Sequence, residues 1–246
     1  MHFKIIVPLY NVEKWIQTTL TSVKEQSYRN FQCVILDDMS TDNSANVIKK
    51  IILNDDRFLF IENIDKAFAL KNIYDGIIFS KPQKEDVIIT LDGDDWLAHN
   101  NVLLTLKNVY ETHKCWMTYG SYMEYPSNQR GMWAKQIPDH VIENNSFRNY
   151  EWCASHIRTF KYHLWQNINL EDLFDTTGEF YKMAGDLAHM FPLLELAGNK
   201  SKYISDILYV YNKSNPLNDY KINNPYQVSL EKEIRNGKKY EPIVAS

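Results

Sequence analysis

Three carboxylates, Asp92, Asp94 and Asp95, fall within four positions of the stretch TLDGDDWL, directly after the apolar run Val87-Ile88-Ile89. Like charges this close repel, so a cation or a ligand should be what keeps them together. A hard divalent cation such as Mg²⁺ or Mn²⁺ takes oxygen ligands, commonly one or two carboxylates plus the phosphates of a substrate. A second acidic pair, Asp37-Asp38, precedes Met39-Ser40-Thr41-Asp42. No glycine-rich phosphate cradle of either common type is present, so a bound nucleotide would have its phosphates neutralised by a carboxylate-held cation. Turn and helix-cap chemistry accounts for Ser40 to Asn43. It explains neither Asp37-Asp38 nor the triple at 92 to 95.

The elements that must carry these residues are legible as an alternation. Phe3 to Val7, Phe31 to Leu36 and Val87 to Leu91 are continuous apolar runs of the kind found in strands buried on both faces, and Phe58 to Ile61 is a weaker fourth. Between them, Trp15, Ile16, Leu20 and Val23, then Val47, Ile48, Ile51 and Ile52, then Ala69, Ile73, Ile77 and Ile78 have helical spacing. The order predicts an α/β fold, a mostly parallel sheet flanked by helices with right-handed crossovers, in a single compact domain. Ligands of such sheets bind at the carboxyl ends of the strands, where Pro8-Leu9-Tyr10-Asn11, Asp37-Asp38, Asn63-Ile64-Asp65 and Asp92 to Asp95 all fall.

Bulk properties narrow the function. With 246 residues, 44% of them hydrophobic, the chain can bury a substantial core, and its net charge of -4 gives no basic field for nucleic acid. Cys33, Cys115 and Cys153 are widely spaced, without a C-x-x-C pair, which fits a reducing, cytoplasmic setting and argues against a cysteine zinc site. No run approaches 18 apolar residues, so no membrane span is expected. The 16 Tyr and 6 Trp suit carbohydrate recognition, in which flat rings cover the C–H faces of a sugar.

The pieces IIVPLYN, EQSYRNFQCVILDDMSTDNS, ALKN and TLDGDDWL, followed by GDLAHMFPLLELAGNKSKYISDILYVYN, resemble the family 2 glycosyltransferases of the GT-A (Rossmann-like) fold, over roughly residues 3 to 212. The order and spacing of Asp-Asp-x-Ser-Thr-Asp and Asp-x-Asp-Asp carry the likeness. The resemblance implies that Pro8, Tyr10, Asp38, Lys71 and Asp92 line the nucleotide site, with Tyr10 against the base and Asp38 on base or ribose. It implies Asp94 as direct metal ligand, with Asp92 or Asp95 assisting. The departure is Gly185, where many members have Glu. Asp186, at the start of an apolar helical face through Leu187, Met190, Phe191, Leu194 and Ala197, would be the base that activates the acceptor hydroxyl.

Residues 1–97 are then the nucleotide-sugar-binding half, 98–225 the acceptor-binding half of the same domain, and 226–246 a peripheral tail. Trp152, His156 and Arg158, grouped in WCASHIRTFKYHLW, and Lys213 and Lys221 in the later loop are candidates for acceptor or diphosphate contacts. The implied reaction moves a sugar, with inversion, from a nucleoside-diphosphate sugar, UDP favoured, to a hydroxyl of a glycan or saccharide acceptor, with Mn²⁺ or Mg²⁺ as cofactor. Alternatives are a protein-hydroxyl acceptor, or a non-catalytic glycan-binding module derived from such an enzyme. A sugar nucleotidyltransferase would carry a basic glycine-rich loop where this chain has Pro8 to Asn11. An aspartyl phosphatase places its D-x-D after the first strand rather than the fourth. A processive membrane synthase has Q-x-x-R-W, and Gln129 to Trp133 has the wrong spacing.

Overall fold

The computed structural model describes residues 1–217 and 224–244. In chain order the elements are β1 (Phe3–Leu9), α1 (Ile16–Lys24), β2 (Phe31–Asp37), α2 (Ser44–Ile51), β3 (Phe58–Glu62), α3 (Phe68–Phe79), β4 (Val87–Thr90), β5 (Trp96–Leu97) and α4 (Val102–His113). They continue with β6 (Met117–Tyr125), β7 (Gln129–Arg130), α5 (Asp139–Glu143), β8 (Arg158–Lys161), α6 (Tyr162–Trp165), α7 (Gly185–Ala197), β9 (Ser201–Asn212) and α8 (Asn224–Asn236). The four expected strands and three expected helices of the first 91 residues are present, with ends within a few residues of those read from the pattern.

One sheet runs β3-β2-β1-β4-β8-β6-β9-β5, with β7 pairing to β6. The first four strands are mutually parallel, and β6 and β9 run parallel to each other. β8 is antiparallel to both β4 and β6, and β5 to β9, so the sheet is mostly parallel with reversed strands in its second half.

Successive strand residues point to opposite faces, which divides the core in two. Ile6, Val34, Leu36 and Ile88 face α3 and α7, packing with Leu70, Ile73, Ile77, Met190 and Phe191. Ile5, Val7, Cys33, Ile35, Val87 and Ile89 face the other way, with Ile16 and Leu20 of α1, Ile48 of α2 and Leu103 and Leu106 of α4. Each layer is apolar because strands covered on both faces have no solvent side.

The end of the chain is a correction to the peripheral tail expected from its polar sequence. Leu230 and Ile234 of α8 and the following Tyr240 are buried in the layer that contains α7. The apolar stripe is only those two helical positions wide, too narrow to stand out by periodicity. Polar anchors complete it: Arg148 is paired with buried Glu195 at 2.6 Å, Arg235 donates to the carbonyls of Arg148 and Tyr150, and Asn145 donates to the carbonyl of Tyr240. No helix among the described residues is long and apolar enough to cross a membrane.

Candidate active site

The parallel register sets the site. Leu9 pairs with Asp37 and Ile6 with Thr90, so β1, β2 and β4 end along one edge and their polar sequels are neighbours. The Gly93 N–H donates to the Pro8 carbonyl at 3.1 Å, folding the acidic loop over the end of β1. A Cβ at Gly93 would stand 2.4 Å from the Leu9 Cβ, so this close approach requires glycine.

The three carboxylates of the loop have different surroundings. Asp95 is buried and both of its oxygens accept fixed donors, the Tyr209 hydroxyl and the Asn212 N–H, each at 2.7 Å. Burial, with the charges of Asp94 and Asp92 beside it, pushes its carboxyl well above the usual range. Asp94 accepts from the Asn215 amide at 2.7 Å, and burial raises its carboxyl too. Asp92 is the most open, and its Oδ2 lies 3.9 Å from Nε2 of His156.

His156 is 8% exposed and stacks on Tyr209, with ring centroids 4.5 Å apart, and on Tyr211 at 5.7 Å. Its Nδ1 is 3.2 Å from the Ser155 hydroxyl. Burial, reinforced by the Arg158 charge, holds its pKa well below the ordinary value, so the imidazole is neutral near pH 7 and one ring nitrogen has a lone pair to give. Ligand atoms from Asp92, Asp95 and His156 lie within 4.8 Å of one another. Two acidic side chains and a neutral imidazole fit Mn²⁺ better than Mg²⁺, which favours an all-oxygen set, and a ring held by stacking and by a hydroxyl on Nδ1 is the kind of oriented ligand a metal site needs. Asp94 stands outside this group.

Asp186 lies beside the same loop because of β8. In the antiparallel pairing Thr90 of β4 is opposite Arg158, which brings Arg158 next to the start of the acidic loop. Arg158 is 8% exposed, and its Nη2 donates to Oδ2 of Asp186 at 3.0 Å, while its Nε has no partner. Asp186 sits in the first turn of α7 rather than at the N-cap, which is Ala184 in the left-handed region. Gly185 has a packing reason: a Cβ there would lie 2.8 Å from the Leu70 Cβ, so the start of α7 is pressed onto α3 and a Glu would not fit without displacement.

On the other side of the loop, Asn11 and Ser40 lace the ends of β1 and β2, the Asn11 N–H donating to the Ser40 hydroxyl at 2.8 Å. Asp38 accepts the N–H groups of Ala67 at 2.7 Å and Phe68 at 3.0 Å and the Asn63 amide at 3.1 Å. Burial works to raise its carboxyl, but hydrogen bonds from the Ala67 N–H, the Asn72 side chain and Lys66, together with the Lys66 charge, outweigh it and hold the pKa below the usual range. The Lys66 ammonium is 3.2 Å from Oδ2 of Asp38 and 3.0 Å from the centroid of the Tyr10 ring. Tyr10 is 39% exposed, and Pro8 is the penultimate residue of β1.

Residues 4–177 match the sequence profile of glycosyl transferase family 2. The chain belongs to that family. This family 2 chain is 24% identical over 213 residues to glycosyltransferase GlyA of Streptococcus pneumoniae, an alignment that covers 84% of the chain but 30% of GlyA. It therefore spans under a third of that relative's length. Among solved structures it is similar to S. aureus TarS 1-349 in complex with UDP-GlcNAc, with a TM-score of 0.65 at 19% identity, covering 87% of this chain and 59% of that one. It is also similar to the mannosyltransferase PcManGT from Pyrobaculum calidifontis in complex with GDP-Man and Mn²⁺, with a TM-score of 0.63 at 15% identity, covering 97% and 66%. At such identities the likeness shows the fold, which is the expected GT-A architecture.

Not every sequence candidate of the family 2 chain is drawn to this edge. The Lys71 ammonium is paired with Asp75 one turn along α3 and lies 5.7 Å from the Phe180 ring centroid. Trp152 packs edge-on against Phe191 of α7, 5.3 Å between centroids, as part of the core layer. Lys213, which directly follows β9, does reach this edge, pairing there with Glu124 of β6 at 3.0 Å, while Lys221 lies outside the described residues. Sequence reading missed Lys66, Asn63, Tyr209, Asn212 and Asn215. Tyr209 and Tyr211 had a signal, two aromatic residues two apart on one face of a strand. The sequence places Asn63 at the carboxyl edge with Ile64 and Asp65 but assigns it no role, and Lys66 has no signal, because both act through a loop folding back over Asp38.

Proposed function

We propose that this family 2 chain transfers a sugar, with inversion at the anomeric carbon, from a nucleoside-diphosphate sugar, UDP favoured, to a hydroxyl of a saccharide or glycan acceptor. The observation that carries the reading is the pairing of Thr90 with Arg158, which sets the Arg158–Asp186 pair beside the Asp92 to Asp95 loop. A base and an acidic, imidazole-bearing pocket then share one edge of the sheet. TarS bound to UDP-GlcNAc and PcManGT bound to GDP-Man and Mn²⁺ support a nucleotide-sugar donor and a divalent cation.

In this reading residues 1–97 hold the nucleotide and residues 98–225 frame the acceptor. Asp186 accepts the proton of the attacking hydroxyl, a role worth roughly 10² to 10⁴ in rate. Arg158 holds Oδ2 of Asp186 and so turns the other oxygen toward the acceptor. Asp95, tied to Tyr209 and Asn212, keeps the acidic loop in place, and Asp92 with His156 offers oxygen and nitrogen ligands. When bound, Mn²⁺ or Mg²⁺ supplies electrostatic stabilisation for charge that builds on the departing diphosphate. The three cysteines are buried and unpaired, which supports a reducing, cytoplasmic setting.

The test is a panel of nucleotide sugars, scored by thermal unfolding with and without Mn²⁺ and then by transfer to saccharide acceptors. A donor at 100 times its dissociation constant should add about 2.7 kcal/mol of apparent stability. If no nucleotide sugar stabilises the protein, the reading fails. If the product keeps the donor's anomeric configuration, the assignment of Asp186 as inverting base fails.

A further inference from the structure

Lys66 stands in the gap between the two groups that the proposed function assigns to the nucleoside. Its ammonium is 3.0 Å from the centroid of the Tyr10 ring and 3.2 Å from Oδ2 of Asp38. It also donates to the Asp38 carbonyl at 3.1 Å. A base that lies against Tyr10 and reaches Asp38 must enter that gap, and an ammonium cannot share it. Lysine is suited to such a displacement, being a flexible four-carbon stem with a compact charge and three donors. The loop that carries it stays fixed, since the N–H groups of Ala67 and Phe68 remain on Asp38.

The hydrogen bonds at Asp38 decide what can replace the ammonium. Oδ1 accepts from the Ala67 N–H and the Asn63 amide, Oδ2 accepts from the Phe68 N–H and is paired with Lys66, and the Asn72 side chain also bonds to the carboxylate. When the ammonium leaves, Oδ2 loses its one charged donor, and the ammonium, still tethered beside the pocket, exchanges a carboxylate for whatever acceptor the base presents. We propose that Lys66 selects the nucleobase: it is displaced by, and then donates to the carbonyl of, a base whose edge presents a ring N–H next to a carbonyl. Uracil, thymine and guanine have that edge. The ring N–H replaces the ammonium on Asp38 Oδ2 and the neighbouring carbonyl oxygen accepts from Lys66. Cytosine and adenine present the reverse pattern, a ring lone pair against the carboxylate and an amino group against the ammonium, and leave both protein groups unsatisfied. The cation that the family resemblance places at 71 is held by Asp75, so among the described residues Lys66 is the ammonium that meets both Tyr10 and Asp38.

The inference rests on the donor reading above, and the experiment separates the two. Binding of UDP, GDP, CDP, ADP and inorganic pyrophosphate, each with Mn²⁺, is measured by calorimetry for the wild type, Lys66→Met and Lys66→Arg. Lys66 is exposed, so both variants should fold. A site built around specific hydrogen bonds should favour UDP or GDP over CDP and ADP by at least about a hundredfold in the wild type. Lys66→Met should reduce that ratio at least about tenfold, the size of one charge-assisted hydrogen bond, with pyrophosphate affinity unchanged and Lys66→Arg keeping most of the discrimination. If the wild type binds no nucleotide, the donor reading fails. If it binds nucleotides and Lys66→Met keeps the wild-type ratio, the inference fails. It fails also if Lys66→Met tightens all nucleotides equally, which marks Lys66 as a mere obstruction, or weakens all of them with pyrophosphate, which marks it as a phosphate ligand.

Discussion

Residues 1–97 and residues 98–244 both deliver polar groups to one edge of one sheet, and the second part adds a route that the first does not use. In the first part the strands are parallel and in register, so the residues that follow each strand meet at the edge: Pro8 to Asn11 after β1, Asp38 after β2, Asp92 to Asp95 after β4. In the second part β8 runs the other way, so its beginning meets that edge, and the residues it brings are Arg158 and, just before it, His156. The rule that ligands sit beyond strand carboxyl ends holds for the first part and inverts for β8. The two parts also hold their side chains differently. Asp38 and Asp95 are locked by several fixed donors each, while Asp186 is held by the guanidinium of Arg158.

The largest test of this contrast is Asp186→Asn. The amide keeps an oxygen for Arg158 but cannot take a proton, so transfer should fall at least about a hundredfold with nucleotide affinity unchanged. Near-normal transfer would move the base elsewhere, with Asp172, Asp175 and Glu179 next to examine. His156→Gln sharpens the comparison from the metal side. If a residue at the start of β8 completes a site begun at the end of β4, Mn²⁺ affinity measured by paramagnetic resonance should drop about ten- to a hundredfold. An unchanged affinity would restrict the ligands to the acidic loop.

Tyr209→Phe tests how firmly β9 holds that loop. It removes one of two fixed donors to the buried Asp95 side chain and should cost about 1 to 3 kcal/mol in urea unfolding, the cost of leaving a buried acceptor unsatisfied. A loss below about 0.5 kcal/mol, the range of ordinary surface changes, would show that the loop is held by its own turn. Gly185→Ala is the smallest effect and a test of sign. In an open helix the change would stabilise by up to about 1 kcal/mol. The added Cβ meets Leu70, and overpacking costs about 1 to 3 kcal/mol, so a net loss of about 1 kcal/mol is expected. A stabilised variant would mean that α7 is not pressed onto α3.

Local pattern alone makes the sheet's first four strands, the helices between them and the chemistry of their ends legible, because continuous apolar runs and helical spacing are local properties of the chain. It also locates Asp186 at or just before the first turn of its helix, since an apolar face following a carboxylate is visible without contacts, and the structure places it in the first turn. Tertiary structure decided the rest. Whether Asp92, Asp94 or Asp95 stays open depends on Tyr209, Asn212 and Asn215, more than a hundred residues away. The place of Arg158 beside the acidic loop depends on the direction of β8, which no periodicity encodes. The departure from the family pattern at Gly185 has its reason in the packing of α7 on α3, which no local pattern shows. Lys66 and Lys71 are both lysines near the start of one helix, and only the fold of the loop over Asp38 puts one ammonium on Tyr10 while Asp75 retains the other. Local pattern fixes which face a residue takes, whereas partners distant along the chain are chosen by strand direction and packing, and those exist only once the sheet is assembled.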